Sequence, residues 1–362
     1  MFGKEIYIFG AKSTAIGAIR AIRELYKDSE IKGCVVSSYD DNPSEIEGVK
    51  VVELRELNAK FSEQDKKDVC ILVATPIYVQ AEIKGTLNMF GFTNVILLDS
   101  AMEAKLMGDY YRAKGLFKSI KDLNDNSNKV NVFVAKVRHH GDQILKYAKK
   151  DADWVHDIQV GANCAPKIFA ELTDNQGDNI SDKNPVYCEL TAFYSMWKSD
   201  ILDGLSDDDY CGLFQYRRVL DIDMNDLIEC KNSDVDVILP YPMLHLPDIK
   251  EHHTRYTNEA EWEMLLQAVK ELSPEYYADY DSIFSGQYMY NYNMFIAKKS
   301  ILKDYCEWLF PIMFRTEELC ANADFTPRKR YIAYFGESMT TWYFMHNQDK
   351  LNIVHTGRML RE

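Results

Sequence analysis

The amino-acid sequence predicts an α/β protein with two domains. Short apolar segments alternate with amphipathic segments over residues 1–105, which is the pattern of strands joined by helices. A polar run, "NDNSNK", then interrupts the pattern at residues 124–129, and a new apolar strand, "KVNVFVAK", restarts it. The chain of 362 residues is long enough for two domains of roughly 100 to 200 residues each. We therefore expect one domain at 1–128, including a helical linker, and a second at 129–362.

The first domain is predicted to be Rossmann-like. The segment "KEIYIFGAKSTAIGAIRAIREL" gives a strand, a glycine turn and a helix, and further strands follow at "IKGCVVSS", "DVCILVATP" and "NVILLD". Strands that alternate with helices require right-handed crossovers and form a parallel sheet covered on both faces. Gly10 and Gly17 lie near the first strand–helix turn, where backbone N–H groups of such folds bind phosphate. Their spacing departs from G-x-G-x-x-G, so a cofactor-binding turn and a tight turn that binds nothing both stay open.

Residues 129–362 are predicted to form a mixed α/β domain. Strands are expected at "DYCGLFQYRRVLDID", "DVDVILPYP" and "YMYNYNMFIAKKS". Helices are expected at "TNEAEWEMLLQAVKEL", with Thr257 or Asn258 as the N-cap, and at "SILKDYCEWLFPIMF", interrupted at Pro311.

Composition excludes several functional classes. The formal net charge is −14, which repels polyanions, so nucleic acid is not expected as a partner. The eight cysteines include no CxxC pair, as is usual for reduced intracellular thiols. The N-terminal segment is too short and too charged for a signal peptide, and no apolar run approaches the ~20 residues that span a bilayer. A cytoplasmic protein without an integral membrane segment is predicted.

The stretch "GDNISDKNPVYCELTAFYSMWKS" joins a polar loop to an apolar helix. Asn184 is expected to cap this helix, with Pro185 at its first position. Leu190, Phe193, Tyr194 and Trp197 share one helical face. Glu189 lies beside that face near the helix N-terminus, where the helix dipole alone favours a carboxylate. A binding role and a structural role for Glu189 therefore both remain open.

A second polar cluster follows the strand "YCGLF". Arg217 and Arg218 stand where ligands bind in open α/β folds, and guanidinium groups match phosphate oxygens. In an extended segment the two arginines point to opposite sides, and salt bridges to the abundant carboxylates explain them equally well. Asp221 and Asp223 share one side of the extended chain and are candidate ligands for Mn²⁺ or Mg²⁺.

Glu337 follows Gly336 at the expected opening of an apolar helix. A carboxylate at the mouth of a site can act as a general base, and it can equally be an ordinary acid of a first helical turn. The histidine pairs His139–His140 and His252–His253 lack metal-ligand spacing and are expected on the surface.

The ordered motifs of the second domain resemble those of the DUF4422 family. They are "GDNIS", "KNP", "YCELTA", "YRR", "YNMFI" and "YCEWLF", and the resemblance extends from about Lys129 to Leu351. Members are associated with bacterial capsule and exopolysaccharide synthesis and are regarded as GT-A-type glycosyltransferases. Three positions depart from the family pattern: Lys136 and Val137 replace a Thr-His pair, and Gln215 replaces a His before Tyr-Arg-Arg.

The resemblance implies transfer of a sugar from a nucleotide donor, with UDP as the expected nucleotide and galactose or galactofuranose as the sugar. The acceptor would be a growing polysaccharide or a polyprenol-linked saccharide, which implies peripheral contact with the inner face of the membrane. In this scheme Arg217 and Arg218 stabilise the leaving diphosphate, with or without a metal ion, and Glu337 is the base if the reaction inverts configuration. The residues expected to bind the donor are Asp178, Asn179, Lys183, Asn184, Glu189, Thr191, Gln215, Tyr216 and Asn293.

Two other functions stay open at the level of sequence. In one, the first domain binds NAD or a similar cofactor for a redox modification of a sugar. The absence of a G-x-G-x-x-G motif argues against this function. In the other, the protein is a non-catalytic component of polysaccharide assembly, which the departures at Lys136, Val137 and Gln215 would explain.

Overall fold

The structure is a computed structural model and describes residues 4–123, 130–138 and 152–360. The chain divides into two compact units. The first contains Met1–Phe117 with the short segment Met243–His245, and the second contains Lys118–Pro242 and Leu246–Glu362. The predicted boundary between residues 128 and 129 lies outside the described residues. The segment from Lys118 belongs to the second unit, where Lys118 accepts a hydrogen bond from the backbone of His355.

The first unit is built on a six-stranded sheet in the order β3-β4-β2-β1-β5-β6. The pairs are parallel except for the edge pair of β3 with β4. The strands are β1 (Glu5–Phe9), β2 (Glu30–Val36), β3 (Glu45–Ile46), β4 (Val49–Glu53), β5 (Cys70–Val73) and β6 (Val95–Leu97). The helices are α1 (Ser13–Leu25), α2 (Leu54–Lys60), α3 (Ile77–Met89) and α4 (Ser100–Lys114). This arrangement confirms the predicted Rossmann-like unit; the sequence analysis missed β3, β4 and α2.

The second unit is built on a seven-stranded sheet in the order β16-β12-β15-β10-β7-β8-β9. All of its strands run in one direction except β15, which is antiparallel to both of its neighbours. The strands are β7 (Val132–Arg138), β8 (Val155–Gln159), β9 (Leu172–Thr173), β10 (Tyr210–Phe214), β12 (Val237–Pro240), β15 (Phe295–Lys298) and β16 (Ile353–Thr356). A separate small sheet pairs β11 (Arg218–Leu220) with β17 (Arg358–Leu360). The two remaining short strands are β13 (Met243–Leu244), which belongs to the first unit, and β14 (Tyr288–Met289), which belongs to the second.

Helices of the second unit cover its sheet and enclose an aromatic core around Phe193, Phe295 and Tyr305. They are α5 (Asn184–Tyr187), α6 (Leu190–Lys198), α7 (Met224–Asn232), α8 (Ile249–His253), α9 (Glu259–Leu272), α10 (Pro274–Tyr277), α11 (Tyr280–Phe284), α12 (Lys299–Asn322) and α13 (Tyr331–His346). Asn258 caps α9 and forms a capping box with Glu261. Asn258 is one of the two residues predicted as the N-cap of this helix. The α/β fold class predicted from the sequence is confirmed for both units.

Three predicted elements differ from those observed. The helix expected to begin at Asn184 breaks at Cys188, where φ is +48°, so that α5 and α6 are separate and Asn184 does not cap. The strand expected over "YMYNYNMFIAKKS" is interrupted between β14 and β15 by Tyr292 and Asn293, whose φ values are +80° and +47°. Pro311 does not interrupt α12, because it lies on the exposed face, where water can bind the carbonyl group that loses its N–H partner.

Candidate active site

The candidate site lies at the carboxyl edge of the parallel strands of the second unit. Because β10 and β15 are antiparallel, with Leu213 opposite Phe295, the segment after β10 and the segment before β15 meet at this edge. The first carries Gln215–Arg218, and the second carries Asn291–Asn293. Ligands of open α/β sheets bind at this edge.

The loop before β15 holds an unfavourable backbone conformation. Tyr292 and Asn293 both lie in the left-handed region, which costs non-glycine residues on the order of 1 kcal/mol or more each. The side chain of Asn293 is nevertheless 1% exposed and donates hydrogen bonds to Glu189 Oε1 at 3.0 Å and to the carbonyl oxygen of Ala333 at 3.1 Å. The strained loop therefore fixes an amide group deep within the site.

Glu189 is a buried carboxylate held by amide groups. It is 7% exposed, and its Oε1 accepts from Asn293 and, at 3.5 Å, from Gln215 Nε2. The Oε1 of Gln215 in turn accepts from Arg218 at 3.0 Å. The structure thus brings together four of the residues that the sequence analysis assigned to the site: Glu189, Gln215, Arg218 and Asn293.

Glu337 lies in the second turn of α13, not at the helix opening predicted from the sequence. It forms part of the wall of a pocket, and its Oε2 accepts a hydrogen bond from Asn291 at 2.9 Å. Burial raises the pKa of its carboxyl group to about 7, while the Asn291 hydrogen bond opposes this rise and the charge of Glu189 adds to it. A carboxyl group with this pKa is suited to accept a proton near neutral pH.

Two arginines flank the ring of Tyr292. The guanidinium carbon of Arg218 lies 4.1 Å from the ring centroid, and that of Arg358 lies 5.1 Å from it. The pairing of β11 with β17 brings these arginines to the same small sheet. The sequence analysis missed Arg358, because it follows the recognised motifs and pairs with β11 only in the folded chain. The arrangement concentrates positive charge beside the two carboxylates.

Arg217 and Tyr216 contact each other. Arg217 is exposed, donates a hydrogen bond to the hydroxyl of Tyr216 and lies over its ring. The divergence of Arg217 from Arg218 follows the alternation of side chains in an extended segment.

The polar loop 174–184 is organised by a residue that the sequence analysis did not single out. Asp174 is fully buried and accepts hydrogen bonds from the backbone N–H groups of Gly161 and Ala162 and from the hydroxyls of Ser181 and Thr191. A buried carboxylate needs such a set of donors, which explains why so polar a loop precedes an apolar helix. The signal in the sequence that could have identified Asp174 is the position of its carboxylate directly after the short strand β9.

The remaining predicted donor ligands belong to this loop, apart from Thr191, which lies in α6. Thr191 is buried against Asp174, and Asn184 donates to the carbonyl oxygen of Cys188 at 2.7 Å, so both have structural partners. Lys183 forms an ion pair with Glu317 at 2.8 Å. Asp178 is exposed and accepts from Tyr194, and Asn179 accepts from Asn163. Direct donor contacts from these residues stay predictions.

The predicted metal ligands do not form a complete donor set. Asp223 caps α7, where its Oδ1 accepts from the backbone N–H groups of Asn225 and Asp226. Asp221 is exposed. Within residues 4–123, 130–138 and 152–360, no group of three or more His, Cys, Asp or Glu side chains is arranged to hold a metal ion. Two exposed carboxylates, one already engaged in a helix cap, fit Mn²⁺ or Mg²⁺ poorly.

Both candidate glycines of the first unit have structural explanations. Gly10 has φ +134°, and a Cβ atom there would come within 2.4 Å of the Ala74 carbonyl oxygen. Gly17 lies inside α1, where a Cβ atom would come within 3.1 Å of the Met107 sulfur. Whether the turn also binds a cofactor stays a prediction.

Two histidines predicted on the surface are buried. His252 and His253 are each 8% exposed, and His253 stacks on Trp262 with ring centroids 4.1 Å apart. Amphipathic packing at the end of α8 turns both inward. The other pair, His139 and His140, lies outside the described residues.

The fold and the site define an α/β protein whose second unit has the GT-A-like mixed sheet, with a buried acid and arginine cluster at its carboxyl edge. The chain belongs to the DUF4422 family, whose model, described as a domain of unknown function, matches residues 137–348. This match confirms the family resemblance predicted from the sequence.

One solved structure is similar to this chain, the apo form of the bifunctional glycosyltransferase WbbM. The TM-score is 0.53 and the sequence identity is 25%, with 65% of this chain and 46% of WbbM covered. The chain thus spans less than half of WbbM. A search of curated proteins gives no match. Over the described part of the chain, no helix is both long and apolar enough to cross a membrane.

Proposed function

We propose that the second unit is a glycosyltransferase that inverts configuration at the transferred sugar, with Glu337 as the general base. The observation that carries the proposal is the pairing of a carboxyl group of pKa about 7 with an arginine cluster at the ligand-binding edge of the sheet. The likeness to WbbM, a bifunctional glycosyltransferase, supports the reaction class.

The proposed reaction is a single displacement. Glu337 accepts the proton of an acceptor hydroxyl as its oxygen forms a bond to the anomeric carbon. The bond from that carbon to the diphosphate oxygen breaks, and its electron pair leaves with the nucleoside diphosphate. A general base of this kind contributes about 10²- to 10⁴-fold to a rate.

The arginines that flank Tyr292 are proposed to stabilise the leaving diphosphate. Guanidinium groups such as those of Arg218 and Arg358 bind phosphate oxygens in pairs of hydrogen bonds. Positive charge positioned in advance lowers the barrier most where negative charge develops. No step is assigned to a metal ion.

The buried amide cluster is proposed to position the donor. Asn293 and Gln215 hold Glu189, which leaves its Oε2 as the candidate acceptor for a sugar or ribose hydroxyl. The proposed donor is a nucleotide sugar, with UDP-galactose the first to test, and the proposed acceptor is a saccharide, free or polyprenol-linked.

The test is a panel of UDP-, GDP-, CDP- and dTDP-sugars, each incubated with the purified full chain. Release of nucleoside diphosphate is measured with and without methyl glycosides as acceptors. The proposal expects at least one donor to be turned over and the product to carry the inverted anomeric configuration by NMR. Binding of NAD or S-adenosylmethionine, without binding or turnover of any nucleotide sugar, would contradict it.

A further inference from the structure

The pocket at Glu337 has an aromatic wall that the proposed chemistry does not use. Tyr256 lies between α8 and α9 and is 44% exposed, which is unusual for a ring beside a buried acid. Its ring stacks on Tyr334 of α13, with centroids 4.7 Å apart and an interplanar angle of 22°. His252 meets the edge of the same ring, with centroids 5.4 Å apart. Together these rings form an aromatic platform, of which Tyr256 is the exposed member.

The platform is close to the proposed base. Tyr334 and Glu337 are three residues apart on α13, so their side chains emerge on the same face of the helix. Tyr256, Tyr334 and Glu337 all line the same pocket. The pKa of the Tyr256 phenol is raised, first by burial and then by the negative charge of Glu337, which is a further sign of their proximity.

The other walls of the pocket combine apolar and polar groups. Met289 and Phe335 are apolar, whereas Thr257 and Ser338 carry hydroxyls. A flat aromatic face with polar groups at its margin matches a pyranose ring, which has an apolar C–H face and hydroxyls at its rim.

We infer that the Tyr256–Tyr334 platform binds the acceptor saccharide, with its ring stacked on Tyr256 and one hydroxyl directed to Glu337. The inference rests on the proposed function and adds the acceptor subsite to it. The donor is assigned to the arginine cluster at Tyr292. The loop Asn291–Asn293 links this cluster to Glu337, because Asn291 donates a hydrogen bond to the Glu337 carboxylate.

The first measurement is saturation-transfer NMR of the full chain with methyl glycosides of galactose, glucose and N-acetylglucosamine. The inference expects saturation transfer to the ring C–H protons of at least one glycoside, its loss in Tyr256→Ala and its retention in Tyr256→Phe. Tyr78→Ala is the matched control, because Tyr78 is 79% exposed in the first unit. Unchanged saturation transfer in folded Tyr256→Ala would overturn the inference.

The second measurement separates this inference from the proposed function. Tyr256→Ala should raise the acceptor KM about tenfold or more, equivalent to ~1.4 kcal/mol of binding, while the donor KM should change by much less. Loss of donor hydrolysis together with a raised donor KM would place the donor on the platform and overturn the inference. If the unmodified protein turned over no nucleotide sugar, the proposed function itself would be rejected. The NMR measurement would still report whether the pocket binds a saccharide.

Discussion

Asn293 donates a hydrogen bond to Glu189 at 3.0 Å from a backbone conformation that asparagine adopts at a cost. The two residues are 104 positions apart, and their contact links the loop before β15 to the start of α6. A strained residue persists when its surroundings fix it, and such residues concentrate at functional sites. The relationship therefore supports the proposal that Glu189 is a positioned group of the site, rather than a carboxylate that only stabilises a helix start.

Gly336 allows this contact. A Cβ atom at Gly336 would come within 2.8 Å of Asn293 Oδ1 and 3.0 Å of a Leu190 methyl group. Gly336→Ala should therefore displace the Asn293 amide and lower the rate of transfer about tenfold or more, equivalent to ~1.4 kcal/mol. The change in thermal stability should be small, because alanine favours the helix while the contact is lost.

The matched control is Gly85→Ala in α3, where a Cβ atom meets nothing within 4 Å. It should leave transfer unchanged and stabilise the chain by up to ~1 kcal/mol. Full transfer activity in Gly336→Ala would show that the position of the Asn293 amide does not affect the rate of transfer.

Removal of either arginine beside Tyr292 should slow the chemical step. We expect Arg218→Ala to lower kcat about 100-fold and Arg358→Ala to lower it less, because Arg358 lies farther from the ring. Arg217→Ala, at an exposed position, should have a smaller effect than either. Steady-state kinetics checks the order, with Arg315→Ala on α12 as a charge-matched control. An order in which Arg217 dominates would contradict the assignment.

Asp223 should act through helix α7. Asp223→Ala removes both hydrogen bonds of the cap and should lower the free energy of unfolding by about 1 kcal/mol, whereas Asp223→Asn can retain the cap. Thermal unfolding and transfer assays over a Mn²⁺ titration measure both effects. If Asp223→Asn kept its stability and lost a Mn²⁺-dependent activity, the carboxylate would be a metal ligand after all.

Glu337 should make folding depend on pH. Its pKa rises from 4.5 to about 7 on folding, so between these values the folded protein holds a proton that the unfolded chain releases. Its contribution to stability therefore falls as pH rises from about 4.5 and is at its least favourable above about 7. Glu337→Gln should gain about 1 to 3 kcal/mol relative to the unmodified protein between pH 5 and pH 8. Urea unfolding at the two pH values measures this gain, and an equal difference at both would contradict the raised pKa.

Local patterns in the sequence predicted most of the fold. The apolar spacing of α1, α9 and of strands such as β1, β2 and β10 is read from neighbouring residues, and the structure has these elements where they were expected. The breaks at Cys188 and at Tyr292–Asn293 were not predictable in this way. Cys188 and Tyr292 have no intrinsic preference for left-handed backbone, and contacts made only in the folded chain impose this conformation on them.

The candidate site was also predictable only in part, because some of its residues stand out among their neighbours in the sequence and others make their contacts only in the folded chain. Glu189, Arg218 and Glu337 were found because charge in an apolar segment is conspicuous in a sequence. Arg358 was missed because it joins the site through the pairing of its strand with β11. Asp174 was missed because its four hydrogen-bond donors are spread over 31 residues of chain, from Gly161 to Thr191. Such relationships need the tertiary structure.

The most direct test of the account is the pH dependence of sugar transfer by the unmodified protein and by Glu337→Gln. If Glu337 is the base, kcat/KM rises as pH increases through about 7 and levels off above it, because the carboxylate form is the active one. Glu337→Gln should then be slower by about 10²- to 10⁴-fold and lack this rise. Transfer by Glu337→Gln at the unmodified rate, or with the same rise near pH 7, would show that another group takes the proton.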